Sequence, residues 1–189
     1  MTQKKPPCPT ILRQLLRYEP ETGKLFWRTL GAAHFGDTTG RKADHTQKNW
    51  NAKYAGKEAF TCANASGHKR GNIRGKGLLA HRVAWAIYYG SWPDGIIDHV
   101  DMNPANNAID NLRLATKRQN GCNRRTVGRS KYLGVCWHKA AKKWKASISV
   151  YNRSTYLGVF ENEEDAAAAY DRAARKFHGE FSRLNFPDQ

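Results

Sequence analysis

Long apolar runs are missing from this 189-residue chain. A membrane-spanning helix needs ~18 to 20 consecutive apolar residues, and no stretch approaches that length. The Met1 to Pro9 start also lacks the apolar centre of a signal peptide. A soluble, intracellular protein with no membrane partner is expected, cytoplasmic and not secreted. Cysteine is scarce too. Cys8, Cys62, Cys122 and Cys136 are widely spaced with no C-x-x-C pair, which argues against a disulfide framework and a four-cysteine zinc site and predicts reduced thiols. Acidic residues are the third shortage: 16 Asp and Glu stand against 32 Lys and Arg, for a net charge of +16. A field of that sign attracts polyanions, so nucleic acid is the expected partner. The imbalance is not uniform. The segment from Glu161 onward is net acidic, so the basic field belongs to what precedes it.

What is present is enough for folded structure. Apolar residues make up 40% of the chain, with six Trp, eight Tyr and seven Phe, which excludes general disorder. The length allows one large or two small domains. A disordered tail is expected over 1–9, then a short amphipathic helix with Ile11, Leu12, Leu15 and Leu16 at helical spacing. Tyr18 to Arg28 reads as a Pro-Glu-Thr-Gly turn followed by an aromatic strand. Thr29 to Lys53 is polar and weakly patterned and reads as a loop. Short strands are expected near Ala59–Thr61 and Gly71–Arg74. A helix follows over Leu78–Tyr89 and stops at Gly90.

Residues Gly95 to about Arg125 form a β-β-α pattern. Ile96 to Val100 is a strand, Asp101 to Asp110 an Asn- and Asp-rich turn, Leu112 to Leu114 a second strand, and Thr116 is placed to cap a helix. Lys117 to Lys131 then holds six basic residues and no acidic one, and 121–130 reads as a basic linker lying along phosphates. Three alternating strands follow, over Tyr132–Trp137, Lys143–Val150 and Thr155–Phe160. Asn162 precedes an Ala-rich helix whose expected buried face is Ala166, Ala169, Tyr170, Ala173 and Phe177.

Asp98 and His99 at a strand end, Asn111 after the turn and Asn120 on the following helix suit metal-assisted phosphodiester cleavage. A carboxylate and an amide oxygen are hard ligands for Mg²⁺, and a neutral histidine can take a proton from water. The same residue types also occur as ordinary turn and capping chemistry, so spacing alone leaves both readings open.

The stretches His81-Arg82-Val83-Ala84-Trp85, Trp92 to Asp101, Asn107 to Thr116 and Gln119-Asn120 resemble the HNH homing endonucleases common in bacteriophage genomes. The Tyr18 to Trp27 hairpin looks like the usual start of such proteins. The resemblance implies a β-β-α-metal nuclease using one divalent ion, Mg²⁺ or Mn²⁺, in the cytoplasm of a host cell if phage-encoded. It makes Asp98 and Asn120 the metal ligands, His99 the general base and Asn111 the residue that orients His99. Many relatives carry His where this chain has Asn120. His81 and Arg82 match a recurring motif, with a structural or a phosphate-contacting role.

Tyr132-Leu133-Gly134-Val135, Trp144-Lys145-Ala146, Tyr156 to Phe160, Ala169 to Ala174 and Leu184 to Pro187 resemble the APETALA2/ethylene-response-factor DNA-binding domain. That likeness implies a sheet face lying in the major groove with the helix packed behind it. Cys136, Ser147 and Ser149 stand where the plant factors carry Arg, so the plant recognition sequence does not transfer. The expected DNA contacts are Trp137, His138, Lys142, Lys143, Lys145, Arg153 and Tyr156, joined by Arg118, Arg124, Arg125, Arg129 and Lys131 of the basic segment. Trp144 is expected in the core.

The expected class is α+β: an HNH nuclease domain over 10–120 with a β-rich extension, the linker, and a three-stranded antiparallel sheet packed on one helix over 131–187. The expected activity is site-specific, metal-dependent cleavage of double-stranded DNA by a monomer, by nicking or double-strand cutting, as a homing endonuclease. Alternatives are a DNA-binding regulator with a vestigial nuclease domain and an RNA-processing enzyme.

Overall fold

The computed structural model describes residues 5–36, 42–122, 130–151 and 153–187. The chain mixes helices with small antiparallel sheets and divides between Leu114 and Ala115 into two compact units.

In the first unit, α1 (Pro9–Leu15) opens with proline at its first turn, where the missing N–H costs nothing. It runs directly into β1 (Leu16–Glu19), which pairs antiparallel with β2 (Lys24–Trp27) through the Pro20 to Gly23 turn. β3 (Glu58–Ala59) adds to β2. A second sheet joins β4 (Cys62–Ala63), β5 (Lys69–Ile73) and β6 (Lys76–Leu79). β6 feeds α3 (Ala80–Tyr89), which ends at Gly90. Leu12, Leu15, Leu16, Leu25, Phe60, Ile73, Val83 and Ala86 form the main core. A smaller cluster of Ala84, Ile97 and Leu112 lies between α3 and the two-stranded sheet of β7 (Ile96–His99) and β8 (Leu112–Ala115). Tyr18 packs against both clusters.

The polar stretch expected to be a loop contains a helix, α2 (Ala43–Tyr54). None of its residues is fully buried, so it carries no clear apolar periodicity. Long-range contacts hold it instead. Trp50 packs on Trp27 and Phe35. The Asn51 amide takes the Leu30 N–H and donates to the Leu30 carbonyl, which also accepts Gln47 Nε2. At the start of the chain, residues 1–4 of the expected tail lie outside the described residues, and the Pro7 carbonyl accepts a hydrogen bond from the Trp92 indole.

The second unit holds α4 (Lys117–Cys122), β9 (Val135–His138), β10 (Lys143–Val150), β11 (Arg153–Phe160) and α5 (Glu163–His178). Thr116 and Gln119 make a reciprocal cap at α4: Thr116 Oγ1 accepts the Gln119 N–H, and Gln119 Oε1 accepts the Thr116 N–H. The strands form an antiparallel sheet in the order β11-β10-β9, with a bulge in the β10–β11 register between Ala146 and Ser147. α5 covers one face. Its buried stripe is Ala166, Ala167, Ala169, Tyr170, Asp171, Ala173 and Ala174, so the helix faces the sheet along the 167–170–171–174 line. Phe177, expected to be buried, is exposed in the last turn of α5, beyond the last buried residue Ala174. Asn162 does not cap the helix backbone; its amide donates to Asp165.

Asp171 closes this unit. Its buried carboxylate accepts the backbone N–H groups of Asn185 and Phe186 and the Asn185 side-chain amide. The Asn185 amide in turn accepts the Leu133 N–H and donates to the Leu133 carbonyl. Helix, the turn before β9 and the C-terminal segment are thereby fastened at one buried charge.

Gly134 has φ +71°, and a Cβ built there would lie 2.0 Å from Tyr170 Cδ2 and 2.6 Å from the Ser147 carbonyl oxygen. Gly134→Ala is expected to destabilise this unit by roughly 3 kcal/mol, combining left-handed backbone strain with overpacking. Chemical denaturation followed by near-ultraviolet circular dichroism checks the value.

Candidate functional site

Asp98 and His99 end β7, both buried although both are polar. Strand alternation sends Ile97 into the small cluster with Ala84 and Leu112, while pairing with β8 supplies the counter-charge. The Arg113 guanidinium donates from Nε and Nη2 to Asp98 Oδ2 at 2.9 and 2.8 Å. A buried carboxylate is tolerated there because an arginine fork accompanies it.

The His99 ring is held by Asn107, whose side chain is 1% exposed. His99 Nε2 and Asn107 Oδ1 are 3.3 Å apart, and Asn107 Nδ2 donates to the Ala105 carbonyl. Because Nδ2 is engaged by an acceptor, the oxygen faces the ring and can only accept. With the amide in this orientation, the hydrogen bond is made when neutral His99 carries its proton on Nε2, which makes Nδ1 the basic nitrogen. Burial lowers the His99 pKa below its ordinary value, with the neighbouring His68 adding to the effect and the Asn107 hydrogen bond opposing it.

Asn111, expected to orient His99, makes its side-chain hydrogen bonds within the neighbouring loop. Its amide does not reach His99. Oδ1 accepts the Asp101 N–H, while Nδ2 donates to Asp101 Oδ1 and the Asn106 carbonyl. Asp101 also takes the Asn103 N–H and the Asn106 amide. Burial works to raise the Asp101 carboxyl, but these donors hold it below the usual carboxylate range. Asn111 thus knots the 101–106 loop, and the next-door Asn107 holds the histidine.

Three imidazoles meet here. His68, His81 and His99 have ring centroids 5.1 to 5.6 Å apart. His68 is delivered by a turn in which Asn64 Oδ1 accepts the Ser66 and His68 N–H groups. His81, in the first turn of α3, is buried, and its Nδ1 has no hydrogen-bond partner among the described residues. Burial, then the charges of His99, His68 and Arg82, depress its pKa to about 3. Arg82 Nη1 and Nη2 donate to the Gly95 and Pro93 carbonyls just before β7.

Asn120 lies exposed on α4, in the second unit, with its N–H donating to the Thr116 carbonyl. Asp98, the other residue expected to bind metal, belongs to the first unit. Among the described residues, no group of three or more His, Cys, Asp or Glu is arranged to hold a metal ion.

In the second unit, Ala146, Ile148 and Val150 of β10 face α5, which leaves Lys143, Lys145, Ser147 and Ser149 on the open face. Direct partners share a face. His138 opposite Lys143, Cys136 opposite Lys145, Tyr156 opposite Ser147 and Val159 opposite Lys145 therefore extend that open face. Trp137 and Arg153 differ from expectation. They pair with Trp144 and Val150, whose face is the one covered by α5, although Trp137 itself projects into solvent. Lys142 sits in the β9–β10 turn with φ +48°. Trp144 is half-buried against the core, as expected. Lys143 pairs with Glu161 and Lys131 with Glu164, and the Arg118 guanidinium lies 3.7 Å over the Tyr151 ring. Arg124, Arg125 and Arg129 lie outside the described residues.

Residues 78–122 match the HNH endonuclease family model. The chain is 34% identical to protein 3.8 of Escherichia phage T7 over 107 residues, which cover 55% of this chain and 88% of the phage protein. It is 33% identical to an uncharacterized HNH endonuclease of Acanthamoeba polyphaga mimivirus over 112 residues, 59% of this chain and 58% of that protein. Its C-terminal region is similar to AP2-like ethylene-responsive transcription factors of Arabidopsis thaliana. One of them, PLT2, is 46% identical over 61 residues, 31% of this chain and 11% of the plant protein. No helix among the described residues is long and apolar enough to cross a membrane.

The His81 environment has a measurable consequence. A histidine whose folded pKa is near 3 and whose unfolded pKa is near 6.5 stays neutral only in the folded state. Its contribution is fully present above pH ~6.5 and is lost as the pH falls toward ~3, at up to about 1.4 kcal/mol per pH unit. His81→Leu removes this proton uptake. Melting curves between these limits are expected to show a shallower acid destabilisation in the variant than in the wild type.

Proposed function

The chain belongs to the HNH endonuclease family, and from that premise we propose that it is a divalent-metal-dependent, site-specific DNA endonuclease of the homing type. The observation that carries the reading is His99, buried at the end of β7 beside Asp98 with its proton assigned to Nε2 by Asn107. A neutral imidazole with a fixed basic nitrogen is what proton abstraction from water requires.

In this reading, Nδ1 of His99 takes the proton of the water attacking the scissile phosphate. Asn107 keeps the opposite nitrogen protonated, so the ring presents one basic edge throughout. Asp98 and Asn120 would hold a Mg²⁺ or Mn²⁺ ion, and the chemistry such an ion supplies is stabilisation of negative charge on the phosphate and leaving oxygen. Arg113 holds the Asp98 carboxylate in place. His81 and Arg82 serve the framework rather than the phosphate: one is buried and the other is committed to two backbone carbonyls.

The second unit supplies the DNA site. Lys143, Lys145, His138 and Tyr156 share one open sheet face, with two cations for phosphate and ring systems beside them. Carrying this unit and the nuclease unit in one chain raises the local concentration of the second once the first is bound. A nuclease with few base contacts of its own gains occupancy in that way.

The test is cleavage of supercoiled plasmid carrying the gene's flanking sequence, with Mg²⁺, Mn²⁺ or EDTA. Relaxed or linear product is expected with metal only, and His99→Ala is expected to lower the rate by on the order of 10²- to 10⁴-fold while DNA binding persists. Salt-sensitive binding without cutting by the wild type would transfer the reading to a DNA-binding regulator. Lys143→Ala and Lys145→Ala should each weaken binding and reduce its salt slope by about one.

A further inference from the structure

The turn of the N-terminal hairpin is pressed against the backbone that carries Asn107. Gly23 has φ +69°, and a Cβ built there would lie 2.2 Å from the Asn107 carbonyl carbon and 2.3 Å from the Ala108 nitrogen. Only a residue without a side chain allows that approach. Two hydrogen bonds flank it. The Tyr18 hydroxyl donates to the Asn107 carbonyl at 2.7 Å, and the Ile109 N–H donates to the Pro20 carbonyl at 2.9 Å. Burial holds the Tyr18 hydroxyl far above its ordinary pKa, so it remains a donor. The hairpin is itself fixed, because Leu16 and Leu25 lie in the main core. Backbone 107–109 is therefore held from the hairpin side at three consecutive residues, and the side chain of the first of them bonds His99.

We propose that the β1–β2 hairpin is the mount of the active-site histidine, with Tyr18 and Gly23 as positioning residues that act on His99 through Asn107. The proposal rests on the reading of His99 as the general base. When the 107–108 backbone is free to move, the Asn107 amide turns, His99 Nε2 loses its acceptor and the proton distributes over both ring nitrogens. A fraction of molecules then presents N–H rather than a lone pair from Nδ1. The fault lies in orientation rather than in DNA affinity, so it appears in kcat and leaves KM nearly untouched.

The experiment uses the full chain. Long-range proton–nitrogen NMR of the His99 ring, at a pH where the ring is neutral, reads which nitrogen is protonated. Wild type is expected to show a single tautomer with the proton on Nε2, and Tyr18→Phe and Gly23→Ala a mixture. Asn107→Ala sets the limit of a ring without the Asn107 acceptor. Arg17→Gln, on the exposed side of the same hairpin, is expected to keep the wild-type spectrum. Plasmid cleavage should fall about tenfold in Tyr18→Phe and on the order of a hundredfold in Gly23→Ala, with KM for DNA within about twofold. Should Gly23→Ala fail to fold, Tyr18→Phe, which loses one oxygen, decides alone. A single wild-type tautomer retained in the folded variants overturns the proposal whatever their rates. A wild type that cuts no DNA refutes the endonuclease reading, while the spectra still decide whether the hairpin positions the ring.

Discussion

The side-chain amide of Asn107 is the constraint on which the candidate active site depends. A buried amide has few ways to satisfy an acceptor and two donors, and each assignment limits the next. With Nδ2 donating to Ala105, the oxygen must face His99, and the ring must then present Nε2–H. The main chain at the same residue is equally committed, since its carbonyl takes the Tyr18 hydroxyl. One residue thus joins the hairpin, the Asn-rich loop and the histidine. The loop before it is tied by its own side chains: Asp101, Asn103, Asn106 and Asn111 hydrogen-bond within it.

Each unit buries a carboxylate, but Asp98 of the first takes an arginine fork and Asp171 of the second takes amide N–H donors. The first gathers neutral imidazoles, where desolvation keeps His81 uncharged and leaves its Nδ1 without a partner among the described residues, a local sacrifice of stability around His99. The second buries a carboxylate, Asp171, and surrounds it with N–H donors from Asn185 and Phe186. An uncompensated charge at that depth would be costly, and three donor groups make it an anchor instead.

Elements with local periodicity were readable from the amino-acid sequence. The aromatic strand after the Pro-Glu-Thr-Gly turn, the apolar helix ending at Gly90, the Thr116 cap and the three C-terminal strands each carry their signal within a few residues. Helix α2 does not, because Trp50, Gln47 and Asn51 find their partners at Trp27 and Leu30, far away in the chain. The site behaves likewise. Asp98 and His99 stand out, but among Asn103, Asn106, Asn107 and Asn111 nothing in residue type says which amide meets the ring. The apolar alternation of Leu112 and Leu114 does place Arg113 on its own face of β8, a signal that pointed toward the charge partner of Asp98. His68 follows an Asn-Ala-Ser-Gly turn and has no periodicity to mark it. Trp137 and Arg153 were grouped with the open face by chemistry, whereas strand register places them with Trp144 and Val150.

The Asp171 clasp has a consequence for the order in which the chain is made. Leu133, at the start of the C-terminal sheet, depends on the Asn185 side chain, 52 positions later, and α5 is pinned only when Asn185 and Phe186 reach Asp171. On the ribosome, the unit that ends at Leu114 has its entire sequence outside the tunnel while the second is still being synthesised. The sequence of the first unit is therefore complete before the Asp171 clasp of the second can close.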